Sequence, residues 1–543
     1  MNMDYWQFKE ADAVQEAIPV TSVSIISDVS SLKASTQLTV GSVINPGNAT
    51  NPIYQWTATE AISIIGESNK ETVTIKGVSA GKGKLSLTVA AGGAAKQVET
   101  EFTVTASGSS GSDGGHTTPT PGVTGEKEAE ILINGKAEHA GTVLKSERNG
   151  QTVATISLNQ QKLEQWLNSE KEQAVITLSF HSDSNIVIGQ LNAHMLKNMA
   201  DKKAVIELKT DQASYTIPTK LIDIHEILEQ LGTSTSLTDL MIEFEIGDSS
   251  PEMDKAAKKA AEKSDFNIAA SPLDFKMTVI SGAARTEITK FSAYVQRMLA
   301  IPAGVNPDQM TTAIVVAADG TFQQVPTKML FKDGKHYAMA NSLTNGTFVL
   351  VSHQASFTDV AMHWAEKAII ELGSRMVISG TGDGRYSPDR EITRAEFAAI
   401  VVRGLGLKPE SDTVSFLDVQ HEDWYSSAVA TAYSYKLING FEDGSFNPQD
   451  KITREQAMVI IAKAMELTGL KATLNNQDSA AVLLPYKDAV SASSWAKEAI
   501  ADNIQAGIVS GRNASTLAPK AFMTRAEVAA IVEQLLKKSG LYL

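Results

Sequence analysis

Three Thr-Arg pairs hold the residues best suited to chemistry: Thr393-Arg394, Thr453-Arg454 and Thr524-Arg525. Each opens a Thr-x-x-Glu or Thr-x-x-Gln run ending at Glu396, Gln456 or Glu527. That spacing is a capping box, in which the hydroxyl accepts from the third helical N–H and the fourth side chain reaches back to the cap. Capping accounts for Thr and Glu but not for Arg. At the first helical position the helix dipole presents partial positive charge and disfavours a cation by ~0.3–1 kcal/mol. A guanidinium fork beside a helix N-terminus makes a good carboxylate site. Arg394, Arg454 and Arg525 are therefore candidate anion ligands. The alternative is an ion pair with an acidic residue of the neighbouring segment.

These pairs are landmarks of a threefold internal repeat after residue 356. The first copy reads FTDVAMHWAEKAI, then MVISGTGDGRYSPDREITRAEFAAIVVRGLGL. The second reads FLDVQHEDWYSSAVA, then LINGFEDGSFNPQDKITREQAMVIIAKAMEL. The third reads YKDAVSASSWAKEAI, then IVSGRNASTLAPKAFMTRAEVAAIVEQLL. Asp359, Asp418 and Asp488 keep register, as do Trp364, Trp424 and Trp495, and Gly380, Gly440 and Gly511. Each copy reads as helix, polar loop, helix. A unit this short buries little alone, so the three are expected to share a core. The Asp residues suit a helix start or turn. The Trp residues sit beside Ala and Ile, a setting that favours core packing. The Gly residues are expected to take positive φ after the first helix.

Searches for other chemistry fail. GTGDGRYSPD and GFEDGSFNPQD lack the alternating acids and closing Glu of a calcium loop, so no metal is expected. His225-Glu226 has no second His for a zinc-protease helix, and GVSAGKGK lacks P-loop spacing. No Gly-x-Ser-x-Gly elbow occurs. His116 stands alone in a Gly/Ser/Thr/Pro stretch. No catalytic residue and no cofactor is assigned.

The chain has 543 residues, a formal charge of −14 and no cysteine. Disulfide scaffolds, thiol catalysis and Cys-ligated metal are thereby excluded. The acidic balance argues against nucleic acid. No apolar run is long enough for a membrane span. The length implies several domains.

Residues 107–125 mark the clearest boundary, a flexible Gly/Ser half running into a stiffer Thr-Pro half. Before it, 20–106 reads as short alternating strands, with Trp56 in the third, and implies a β-sandwich. Residues 126–353 alternate helix and strand signals and imply an α+β module. Helices are expected at Ser157–Asn168, Leu221–Leu231 and Glu252–Ser264, the last exposed. Residues 1–19 form a separate segment without the basic-then-apolar pattern of a secretory leader.

The repeats, at 356–410, 414–470 and 484–540, resemble the S-layer homology family of bacterial surface proteins. The likeness rests on the aromatic-x-Asp opening, the Trp, the Ile/Val-x-Gly turn and the Thr-Arg-Ala-Glu motif. Copy two departs with Arg-Glu-Gln, and copy three with SGRNASTLAPK in place of the Asp-Gly loop. The stretch from IPVTSVSI to FTVTA resembles bacterial immunoglobulin-like domains. FSAYVQRMLAIPAGVNPDQMTTAIVV and VPTKMLF resemble a module that precedes such repeats in large Gram-positive surface proteins. The resemblance implies an all-α, three-pronged assembly. It further implies non-covalent binding of secondary cell-wall polysaccharide, typically a pyruvylated, anionic N-acetylmannosamine, in grooves between repeats. The Arg, Asp, Trp and Gly sets above become its expected contacts.

The reading is a non-enzymatic, wall-anchored surface protein, extracellular, whose export implies a leader absent from this chain through truncation or processing. Its rivals are an S-layer lattice subunit that self-associates, an adhesin, and an anchored polysaccharide-processing enzyme with its active site in 126–353.

Overall fold

The computed structural model describes residues 19–27, 31–34, 36–45, 49–50, 52–105, 128–169, 172–180, 183–231, 236–282, 284–409, 416–475 and 477–542. Residues 1–18 of the N-terminal segment and the stretch 107–125 with His116 lie outside them. The chain divides into two compact units, Met1–Val123 and Thr124–Leu543.

The first unit is all β. One sheet orders Ser22–Ile26, Gln37–Asn45, Val73–Gly77 and Ile62–Ile65. The other orders Ser31–Lys33, Ala94–Thr105, Gly81–Ala91 and Ile53–Glu60. Alternating residues of both sheets meet in one core, where Val40 and Ile75 of one pack with Trp56, Leu85, Leu87 and Phe102 of the other. Trp56 is buried and satisfies its indole N–H at 2.8 Å on the Lys70 carbonyl. The strands Ser31–Lys33 and Ile62–Ile65 escape a sequence reading because they are too short to show a period.

In the second unit, strands dominate from Glu128 to Ser352 and join in one closed hydrogen-bonded network. It mixes parallel pairs, such as Val175–Ser179 with Val205–Lys209, with antiparallel ones. Helices cover Gln160–Ser169, Ala193–Asp201, Ile224–Leu231 and Pro251–Ser264. The first begins later than expected, because Ser157 and Leu158 belong to the strand Gln151–Leu158. The last is not exposed all round: Ala256, Ala257 and Ala260 form a small-residue face packed with Ile314, Val316, Val349 and Val351.

In the repeats, the first helices are Glu366–Ser374, Ser426–Ser434 and Lys497–Gln505. The second helices are Arg394–Gly404, Arg454–Leu467 and Arg525–Lys538, and all three carry complete capping boxes. Ile369, Phe397, Val429, Ile461, Ile500 and Val532, drawn from all three copies, contribute to one core. Around its axis the residues preceding the caps close a ring. The N–H of Ile392 donates to Met523 (3.0 Å), that of Met523 to Ile452 (3.0 Å) and that of Ile452 to Ile392 (3.2 Å). Each donor finds its acceptor in another copy, so no repeat can satisfy this backbone alone.

Candidate functional site

The loop between the two helices of each copy is fixed by its aspartate. Asp359 accepts from the N–H groups of Tyr386 and Ser387, both at 2.8 Å. Asp418 does the same with Phe446 and Asn447, and Asp488 with Leu517 and Ala518. The second residue of each pair lies in the left-handed region, at φ 57° for Ser387 and 54° for Asn447 and Ala518. That conformation costs a non-glycine residue roughly 1–2 kcal/mol, which two charge-assisted hydrogen bonds offset. Burial pushes the Asp359 and Asp488 carboxyls up, but the two N–H donors at each outweigh it and hold both below the usual range.

The clamped loop presents its backbone to the preceding repeat in the ring. The first two N–H groups of the helix Arg394–Gly404 donate to the carbonyls of Asp450 (2.8 Å) and Pro448 (3.0 Å). Those of Arg454 and Glu455 donate to Ala521 and Pro519, and those of Arg525 and Ala526 to Arg390 and Pro388. These amides are thus already satisfied, which corrects the expectation that the helix N-termini face an anion.

The three arginines follow the same route, and only 8%, 4% and 4% of Arg394, Arg454 and Arg525 stays exposed. Their Nε groups donate to the carbonyls of Phe446, Leu517 and Tyr386, each in another copy. Arg454 lies 3.0 Å from Glu527 and Arg525 lies 3.3 Å from Glu396, the inter-repeat pairs that the sequence offered as an alternative. Arg394 has no such carboxylate, because Gln456 stands at that position. Its guanidinium instead lies over the rings of Phe441 (4.8 Å) and Phe446 (4.7 Å). Burial pushes all three guanidinium groups below their ordinary value.

Two expectations require correction. Trp364, Trp424 and Trp495 are not core residues: they are 66%, 66% and 58% exposed. Each sits in the turn before its helix, and the residue that follows (Ala365, Tyr425 or Ala496) takes the inward position instead. Gly380, Gly440 and Gly511 do not take positive φ. The left-handed residues after the first helices are Met376, Lys436 and Gly507. The three glycines are needed for close approach. A Cβ on Gly440 would lie 2.4 Å from the Phe416 ring, one on Gly511 2.8 Å from Tyr486, and one on Gly380 2.6 Å from the Arg385 carbonyl.

At repeat one these parts enclose a groove of about 610 Å³ to which all three copies contribute. Ser379, Gly380 and Thr381 form one edge, Arg525 comes from copy three and Trp424 from copy two. Glu396, Ile400 and Arg403 line it from one face of a helix, and Arg390 completes it. Glu396 receives Arg390 and Arg525 together while capping Thr393, and these donors hold its carboxyl below the usual range against the opposing effect of burial. Arg390 and Arg403 were missed from the sequence. The i, i+4, i+7 spacing of Glu396, Ile400 and Arg403 was the available signal. In the strand-rich region, Glu243, Glu245 and Asp274 are engaged by Arg285 (2.5 Å), Arg148 (2.6 Å) and Lys276 (2.6 Å). No cluster of metal-ligating side chains occurs among the described residues, and no described helix is long and apolar enough to cross a membrane.

Residues 356–398, 415–458 and 485–529 match the S-layer homology domain family. The chain carries three S-layer homology domains. It is 37% identical over 200 residues to exoglucanase XynX of Acetivibrio thermocellus, covering 36% of this chain and 18% of that protein. Amylopullulanase of Thermoanaerobacterium thermosulfurigenes is 36% identical over 213 residues, covering 38% of this chain and 11% of the enzyme. The surface layer protein of Brevibacillus choshinensis is 35% identical over 111 residues, covering 20% of this chain and 10% of that protein. The matched part thus spans less than a fifth of each relative. Repeats and relatives together indicate an extracellular location, at the cell wall or surface.

Proposed function

We propose that the chain is a non-enzymatic surface protein held to the cell wall by its repeats. The ligand is an anionic secondary cell-wall polysaccharide of the pyruvylated N-acetylmannosamine type, bound non-covalently where repeats meet. The observation that carries this reading is the groove in which an exposed Trp424 shares a lining with Arg403 and Arg525 above the Gly380 loop. An indole face suits the apolar face of a sugar ring, and guanidinium groups suit its carboxylate. Relatives named as glycoside hydrolases share with this chain only a minor part of their length, as expected of a common anchor.

Co-sedimentation of the full chain with cell-wall sacculi, before and after chemical removal of the polysaccharide, tests the reading. Binding should vanish with the polysaccharide and fall in a Trp364/Trp424/Trp495→Ala variant that keeps its circular dichroism. Equal binding to stripped walls would refute it. A lattice subunit is the second reading, favoured by relatives named surface layer proteins. Ordered two-dimensional arrays in electron micrographs would establish it.

A further inference from the structure

A second groove, of about 540 Å³, lies where the strand-rich region meets repeat one, and it shares Ser379, Gly380 and Arg403 with the groove just described. Its walls come from both sides of the junction. Phe322 belongs to the strand Phe322–Val325, and Phe357 opens repeat one. Between them run His353, Gln354 and Ser356. Several contacts fasten the junction. Tyr294 donates to the Leu405 carbonyl at 2.7 Å, Arg375 donates to the Thr327 carbonyl at 2.6 Å, and Arg375 lies 4.1 Å from the Tyr542 ring centre. Gly406 takes φ +60° and abuts Pro326, where a Cβ would come within 2.6 Å.

The lining chemistry differs from that of the first groove. Arg403 is its one permanent charge among the described residues, and no carboxylate is present. About half of the rest are aromatic rings, amides and hydroxyls, and the other half are aliphatic residues and glycines, Met376, Ile378, Val402 and Leu407 among them. His353 Nδ1 lies 3.2 Å from the Ser374 carbonyl. A carbonyl only accepts, so Nδ1 is the donor of that contact. Ring faces with neutral donors and acceptors suit an uncharged polyol.

We propose that this groove is a second saccharide subsite, continuous with the first through Ser379, Gly380 and Arg403. The inference rests on the anchoring reading and adds that the region before the repeats binds sugar too. A chain whose anionic residue sits between Trp424 and Arg525 would pass Arg403 and lay its next, neutral residue between Phe322 and Phe357.

The test uses the full chain and polysaccharide released from sacculi, sized into one-repeat and longer fractions, with affinities from isothermal titration calorimetry. The longer fraction should bind about tenfold tighter per chain, a difference of ~1.4 kcal/mol. Ser356→Trp, which fills the groove from an exposed position, should bring the longer fraction down to the affinity of the shorter one, as should Gln354→Ala in part. Equal affinity of both fractions for the unaltered chain would overturn the subsite while leaving the anchor intact. So would an undiminished advantage in Ser356→Trp. Failure of both fractions to bind at all would overturn the anchor and the subsite together.

Discussion

Arg525 of the third repeat lies 3.3 Å from Glu396 of the first and donates through Nε to the Tyr386 carbonyl, so the last copy is fastened to the first. The same arginine lines the groove beside Trp424. One side chain thus closes the ring of repeats and supplies positive charge to the candidate site. The stretch that resembles an anchor is therefore a single cooperative object rather than three beads.

Removing that arginine takes one of two guanidinium partners from Glu396, which keeps Arg390, and leaves the Tyr386 and Ser379 carbonyls without their donor. Arg525→Met should cost about 1–3 kcal/mol, the order for buried polar groups left unsatisfied. Arg394→Met should cost clearly less, because Gln456 leaves no carboxylate behind. Urea unfolding of the two variants checks the order, and an equal loss would contradict it.

The aspartate clamps predict acid sensitivity. Asp359 and Asp488 have folded pKa values below their unfolded ones, near 3.9 for a free Asp. Their contribution is therefore present above the unfolded value and lost as pH falls through the folded one. Stability of the repeats should drop below about pH 4. Asp359→Asn should be less stable at pH 7 and show a shallower fall, measured as the urea midpoint from pH 6 to pH 3.

Gly440→Ala should destabilise the second repeat by roughly 1–3 kcal/mol, the usual cost of overpacking. The added methyl would meet the Phe416 ring at 2.4 Å and the Ser445 carbonyl at 2.9 Å, and backbone cannot step aside cheaply. Thermal melts followed by circular dichroism would show it. A Tm within a degree of the parent would argue that the loop yields.

Trp424→Ala separates binding from folding. An exposed side chain contributes little to stability, so the change should stay within about 0.5 kcal/mol. Affinity for wall polysaccharide should fall about tenfold on the proposed reading. A stable variant with unchanged affinity would remove the tryptophan from the site.

By itself the sequence determined what is local. The capping boxes at Thr393, Thr453 and Thr524, the helix–loop–helix units and most strands before Thr105 follow from short-range spacing and period, and the structure contains them. The tertiary structure decided what depends on which surfaces meet. No pattern in Thr-Arg-Ala-Glu tells that its arginine crosses to the next loop, because the Tyr386, Phe446 and Leu517 carbonyls come near only once three copies close. Trp424 reads as a core residue ahead of the apolar run Ala428, Val429 and Ala430. It stands exposed because a turn carries no helical face, and its groove partners lie in other repeats. Gly380, Gly440 and Gly511 signal freedom of φ in sequence, but the structure needs them for the approach of an aromatic ring or a loop carbonyl. Local propensity is set within a few residues, whereas a site made by three copies exists only after their shared core has formed.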